Sequence, residues 1–154
     1  MGLGACLSVL SMFCSACGSS GSGSAVKAVG PAYEVTTAQV GSLGRILVDG
    51  SGYTLYLYVP DDHSGHSACA GTCIVGWPPL LLPRGVSAPI AGPGVSSSLL
   101  GETRRSNGSE QVTYGGWPLY RWANDTSTGE ATGQGLFNSG GLWYVLDAEG
   151  NPVH

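Results

Sequence analysis

The stretch Tyr53–Asp62, YTLYLYVPDD, returns further along the chain as Trp117–Thr126, WPLYRWANDT. This diverged tandem repeat limits the possible folds more than any other feature. Each copy sets Leu-Tyr, one intervening residue, an aromatic and then an aspartate: Tyr56, Tyr58 and Asp61, then Tyr120, Trp122 and Asp125. A unit this short cannot bury its own sheet face, so two copies are expected to pack together around one core.

Local patterning supports β structure in both copies. Tyr33–Thr37 is β-prone, and Arg45–Val48 and Tyr53–Val59 flank Asp49-Gly50-Ser51-Gly52, which reads as a hairpin. Alternation puts Tyr53, Leu55 and Leu57 on one face of the second strand, and Thr54, Tyr56 and Tyr58 on the other. Both faces are largely apolar, so this is expected to be a central strand, stopped by Pro60. In the second copy Leu99–Arg104 faces Glu110–Tyr114 across Ser106-Asn107-Gly108, with Ser42-Leu43-Gly44 in the matching place of the first. Gly115-Gly116 then turns the chain into Trp117–Trp122, and Leu142–Leu146 closes the domain, with Trp143 falling about where Trp77 falls. The expectation is an all-β fold of two pseudo-repeated antiparallel units in one domain over 32–154. Copy one spans about 33–83, a connection 84–98 and copy two about 99–148, with a short helical turn near Ala68–Ile74.

Composition narrows the function classes. Charged residues are only 10% of the chain, against ~25% in ordinary soluble domains. The 26 glycines suit turns between short strands, because the aromatics cluster in period-2 runs that can bury a core. A net charge of −4 and a single lysine, Lys27, leave no basic patch, which argues against nucleic acid as a partner.

Residues Met1–Ala16 are apolar or small, too short to span a bilayer, and end at Cys17; the flexible run Gly18–Ser24 follows. This order resembles a bacterial lipoprotein signal. The resemblance implies a signal segment over 1–17, acylation of Cys17, a linker over 18–31 and a membrane partner reached through the lipid. It places the domain at the outer face of the cytoplasmic membrane or in the periplasm. An ordinary secretory signal cleaved nearby is the alternative. Of the five cysteines, Cys6 and Cys14 would leave with the signal, and Cys69 and Cys73 would remain as an even pair in an oxidising compartment.

Cys69 and Cys73 lie one helical turn or one compact loop apart, a spacing that allows a disulfide. The same loop offers Asp61, Asp62, His63 and His66 beside the two thiols, so copper or zinc ligation by His63 and His66 is the alternative. Asp61, just after a strand, can instead close a turn by accepting backbone N–H bonds. Asp125 sits at the same place in copy two without nearby His or Cys, which favours that structural role. Tyr56, Tyr58, Tyr120 and Trp122 are expected in a core, or alternatively along a carbohydrate cleft.

TLYLYVPDD with CAGTC and GWPPL, then QVTYGGWPLYRWAND with LWYVL, resemble the tandem secreted-repeat lipoproteins of unknown function. The similarity runs over roughly Gly44–Asp147. It implies export and architecture, and adds no catalytic residue and no cofactor. The chain carries no Gly-x-Ser-x-Gly elbow, zincin helix or phosphate loop. A non-catalytic, membrane-anchored β domain binding a small molecule, glycan or envelope partner is therefore the leading expectation. A metal- or redox-linked protein using the Asp61–Cys73 loop comes second, and a hydrolase pairing Asp61 with Asp125 third.

Overall fold

The computed structural model describes residues 1–2 and 30–154. The expected lipidation site Cys17, with nearly all of the signal segment and linker, lies outside the described residues. The strands are β1 (Glu34–Gln39), β2 (Arg45–Asp49), β3 (Tyr56–Tyr58), β4 (Ile90–Ala91), β5 (Leu100–Arg104), β6 (Glu110–Tyr114), β7 (Trp117–Pro118), β8 (Phe137–Asn138) and β9 (Gly141–Val145). One short helix, α1, covers Cys73–Gly76. The strands form three small sheets, ordered β2-β1-β4, β3-β9-β8 and β5-β6-β7. The all-β reading holds, with pairing antiparallel except for β1 and β4, which run parallel over two residues.

The hairpin expected in copy two forms as β5–β6, in register Leu100↔Tyr114 to Arg104↔Glu110. Copy one has its counterpart in β1–β2. Both turns end on a glycine in the left-handed region, Gly44 at φ 79° and Gly108 at φ 83°, where a Cβ would be strained.

The expected hairpin strand Tyr53–Val59 does not form as one piece. Val48 bridges Thr54, and then β3 leaves β2 to pair with β9 of the other copy, Tyr56 facing Val145 and Tyr58 facing Trp143. On its other edge Tyr56 exchanges two backbone bonds with Tyr120, of 2.8 and 3.0 Å. The alternating pattern explains the departure. Leu55 and Leu57 pack in one apolar cluster with Leu47, Val112, Leu119 and Leu146, whereas Tyr56 and Tyr58 pack in a second with Trp77, Tyr120 and Trp143. A strand buried on both faces must run between two cores, and its ladder partners come from the other copy. Two clusters therefore replace the single expected core.

The backbone bonds repeat by pairs between the copies. Leu55 donates to Leu47 (3.1 Å) and Leu119 to Val112 (3.0 Å), while Leu47 donates to Leu146 (2.9 Å) and Val112 to Leu80 (2.8 Å). The copies are thus related by an approximate twofold, each receiving a strand or bridge from the other. The helical turn begins at Cys73 rather than Ala68, because Gly71 adopts a left-handed φ of 60° and interrupts any earlier start. Among the described residues no helix is long and apolar enough to cross a membrane.

Leu57 is fully buried at the centre of β3. Leu57→Ala is expected to cost ~2–5 kcal/mol by loss of apolar burial and the cavity left behind. Guanidinium denaturation monitored by Trp fluorescence would read this as a lowered midpoint, and an unchanged midpoint would contradict the double-core arrangement.

Candidate functional site

The repeated motif converges at the junction between the copies. Four aromatic rings stack there in the order Tyr58, Trp143, Trp77, Trp122. Centroid separations are 4.2, 3.8 and 4.1 Å, and the two central indoles lie within 1° of parallel. Ring ownership alternates: copy one, copy two, copy one, copy two. Tyr56 meets Trp77 edge-on at 5.4 Å, and Tyr120 meets Trp143 edge-on at 5.2 Å. Edge-to-face and offset stacks suit the ring quadrupoles, each contributing ~0.5–1.5 kcal/mol beyond burial. Asn138 serves both central indoles, its Oδ1 accepting from Trp77 Nε1 and its backbone carbonyl from Trp143 Nε1, each at 3.0 Å.

The motif aspartates complete the junction reciprocally. Asp61 Oδ2 accepts from the hydroxyl of Tyr120 (2.9 Å), and Asp125 Oδ2 from the hydroxyl of Tyr56 (2.6 Å). Each carboxylate's second oxygen closes its own loop: Asp61 Oδ1 accepts from Ala68 N–H (2.7 Å), and Asp125 Oδ1 from Thr132 N–H (2.9 Å) and its hydroxyl (2.7 Å). The turn-closing role read from sequence is what the carboxylates perform, and the tyrosine partners are additional. Gly133 donates to the Tyr56 hydroxyl at 3.2 Å, and a Cβ there would lie 2.7 Å from the Trp77 ring, so no larger residue fits.

Burial sets the protonation states. It pushes the Tyr56 and Tyr120 hydroxyls well above their ordinary value, reinforced by the adjoining carboxylates, so both stay protonated donors. Burial likewise pushes Asp61 up to about 6, against the opposing pull of Ala68 N–H, the Tyr120 hydroxyl and Arg105.

Cys69 and Cys73 form a disulfide, with Cα atoms 5.4 Å apart. A buried arginine that the sequence reading missed, Arg105, holds this loop against copy two. It donates to the Cys69 carbonyl (2.6 Å), to Gln111 Oε1 (2.5 Å) and to Ser67 Oγ, which in turn meets the Tyr120 hydroxyl at 2.7 Å. Gln111 donates onward to the Leu119 carbonyl at 2.8 Å. An arginine beside a hairpin turn reads as solvated. The usable signal was positional, since the matching places in copy one carry the buried apolar residues Val40 and Ile46.

Three alternatives from sequence meet this geometry. Tyr56, Tyr58 and Tyr120 are buried in the core, and Trp122 alone of the four keeps partial exposure. Asp61 and Asp125 share no hydrogen-bond partner and each is committed to the opposite copy's tyrosine. The sulfurs of Cys69 and Cys73 are bonded to each other, His63 bonds the Gly115 carbonyl and lies 4.9 Å from the Trp117 ring, and His66 is exposed on the loop surface. Among the described residues no three His, Cys, Asp or Glu side chains converge on a common point.

Tyr56→Phe leaves Asp125 Oδ2 and Gly133 N–H without their buried partner, an expected loss of ~1–3 kcal/mol measurable by urea denaturation. Asp61 gives a pH signature. Its carboxyl titrates near ~3.9 in the unfolded chain and near about 6 in the fold. The folded state therefore holds the proton more tightly. The resulting stabilisation is fully present below pH ~4 and lost as pH rises through about 6. Asp61→Asn is expected to flatten the stability profile across that window, and a slope retained in the variant would assign it to another group.

Two segments of the chain, residues 37–81 and 102–147, match the family described as "secreted repeat of unknown function", together more than half of its length. No curated protein and no solved structure matches the chain. Each matched segment contains one of the two aspartate-bonded tyrosines, one motif aspartate and one of the two central tryptophans, so each contributes half of the junction. The chain belongs to this secreted-repeat family and carries two copies of the repeat.

Proposed function

We propose that the protein is an exported, lipid-anchored and non-catalytic β module, displaying a binding surface at the outer face of the cytoplasmic membrane or in the periplasm. One observation carries this reading: the polar atoms of all four Tyr–Asp motif partners are engaged with one another or with their own loops inside the junction, so none of the four is free to serve as nucleophile or base. The motif builds a platform, and recognition falls to surfaces outside it. Membership in a secreted family and a disulfide in the body support export. The Cys17 signal followed by the Gly18–Ser24 tether supports the anchor.

The metal- or redox-linked reading would require the Cys69–Cys73 bond to open before either sulfur could bind a metal. Bonded to each other, the two sulfurs favour the structural role.

Anchoring is tested by Cys17→Ser. The parent protein is expected in the membrane fraction, and the variant in the soluble exported fraction with an unchanged far-UV spectrum. Membrane retention of the variant would refute the anchor. Intact mass of protein purified without chelator should lie two hydrogens below the reduced value for the Cys69–Cys73 pair. Two free thiols with stoichiometric metal, lost on His63→Ala, would replace this proposal with the metal reading.

A further inference from the structure

The approximate twofold is broken at the outer ends of the two hairpins. In copy two the turn Gly115-Gly116 is covered by the loop of copy one: the His63 ring bonds the Gly115 carbonyl and packs on Trp117, and Gly65 N–H donates to the Gly116 carbonyl at 3.2 Å. Left-handed φ values at Asp62 (56°) and His63 (50°) turn the ring inward. The corresponding loop of copy two carries Ser127 where copy one has His63, and no residue in Thr126–Thr128 adopts that left-handed conformation. The turn it faces, Asp49-Gly50-Ser51-Gly52, is also one residue longer. Where the His63 ring lies against Gly116 on one side, the smaller Thr128 side chain lies against Gly52 on the other.

What remains is a groove of about 580 Å³, within the ~300–1,000 Å³ usual for small-molecule sites. Its walls come from both copies: β1 on one side, the 49–52 turn below, and Thr128–Gly129 opposite. Gly52 lies so close to Thr128 that a Cβ there would come within 3.1 Å of its methyl, at a φ of 89° that already disfavours one.

The lining is acceptor-rich. Among the described residues it contains Glu34 and Asp49 and no lysine, arginine or histidine, the nearest cations being Arg45 behind Thr37 and Arg121 behind Asp49. Asp49 is neutralised from behind by the cross-copy ion pair with Arg121. Thr36 donates its hydroxyl proton to the Pro93 carbonyl at 2.9 Å, so its oxygen can only accept from a ligand, whereas Thr37, which also donates to Pro93 at 3.3 Å, already accepts from Arg45 Nη1 at 3.1 Å. The Glu34 carboxylate has no hydrogen-bond or ion-pair partner among the described residues, and it stands between Gly30 and Gly92, where a Cβ on either glycine would collide with its oxygens. Acceptors and a negative charge uncompensated among the described residues select a ligand that supplies donors and a positive charge.

We propose that this inter-repeat groove binds a small organic ammonium ion, whose NH₃⁺ pairs with Glu34 while Thr36 accepts another of its protons. The chemistry is shared by an amino sugar and by an alkyl amine. This inference rests on the binding-module reading and gives it a site and a ligand class.

The test is a titration of the full-length protein, followed by amide NMR shifts, with D-glucosamine, 1,5-diaminopentane and neutral glucose as probes. Saturable shifts at Gly50, Gly52, Thr128 and Gly129 are expected with one or both ammonium probes and not with glucose; which of the two responds identifies sugar or alkyl amine. Glu34→Gln should weaken binding about tenfold, as loss of a charge-assisted contact predicts, and added salt should weaken it in the parent alone. Thr128→Arg, placing a tethered cation at the groove, should abolish it while leaving the far-UV spectrum unchanged. No saturable shift, equal response to glucose, or full affinity in Glu34→Gln would overturn the proposal. Saturable shifts confined to another face would remove this site while leaving the binding-module reading in place, and turnover of a probe would remove both.

Discussion

The face-to-face contact of Trp77 and Trp143, extended by Tyr58 and Trp122 into a four-ring stack, is the interaction on which the rest of the fold depends. Because the rings alternate between copies, neither copy can bury its own two without the other. The tyrosine hydroxyls reach the opposite aspartates only when the rings are interleaved, since Tyr56 and Tyr120 pack edge-on against the central indoles. Hydrogen bonds buried in such a setting are strong, and breaking one strands its partner. Stack, Tyr–Asp pairs and strand exchange therefore form one cooperative unit.

The copies agree inside this unit and differ around it. Val40 and Ile46 lie in an apolar cluster, while the matching Arg105 and Gln111 form a polar clasp on the disulfide loop. Asp49 stands where copy two has the buried Tyr114, and it is answered by Arg121, which stands where copy one has Leu57. This ion pair is costly to hold. Burial raises the Asp49 carboxyl above its usual range against the pull of Arg121, and Arg121 Nε is buried without an acceptor. Arg121 also lies 5.2 Å from the Tyr53 ring, which offsets part of its desolvation. The expensive features gather beside the groove and the loop, away from the repeated junction.

Legibility from sequence followed the range of the interactions. The β5–β6 hairpin was readable because Asn107-Gly108 sets its turn locally, and the burial of Tyr56–Tyr58 was readable from alternation. The repeat by itself marks Asp61 and Asp125 as turn-closing, since both stand at the same place after a strand. The junction of β3 with β9 was not readable, because strand choice between copies depends on packing at large sequence separation. Asn138 and Arg105 escaped for the same cause: each is recognisable only by partners far along the chain.

The sequence by itself determined the repeat, the all-β character, the spacing that permits the Cys69–Cys73 bond and the two faces of the central strand, because turn chemistry and side-chain alternation act over a few residues. Only the tertiary structure decided that the motif is a reciprocal lock, that two cores replace one, and that one hairpin turn is covered by His63 while its mate, met by the smaller Thr128, borders a groove. Those outcomes depend on which copy's side chain fills a given space. Long-range packing and the cost of burying unpaired polar groups settle that question, and neither is visible in a linear pattern.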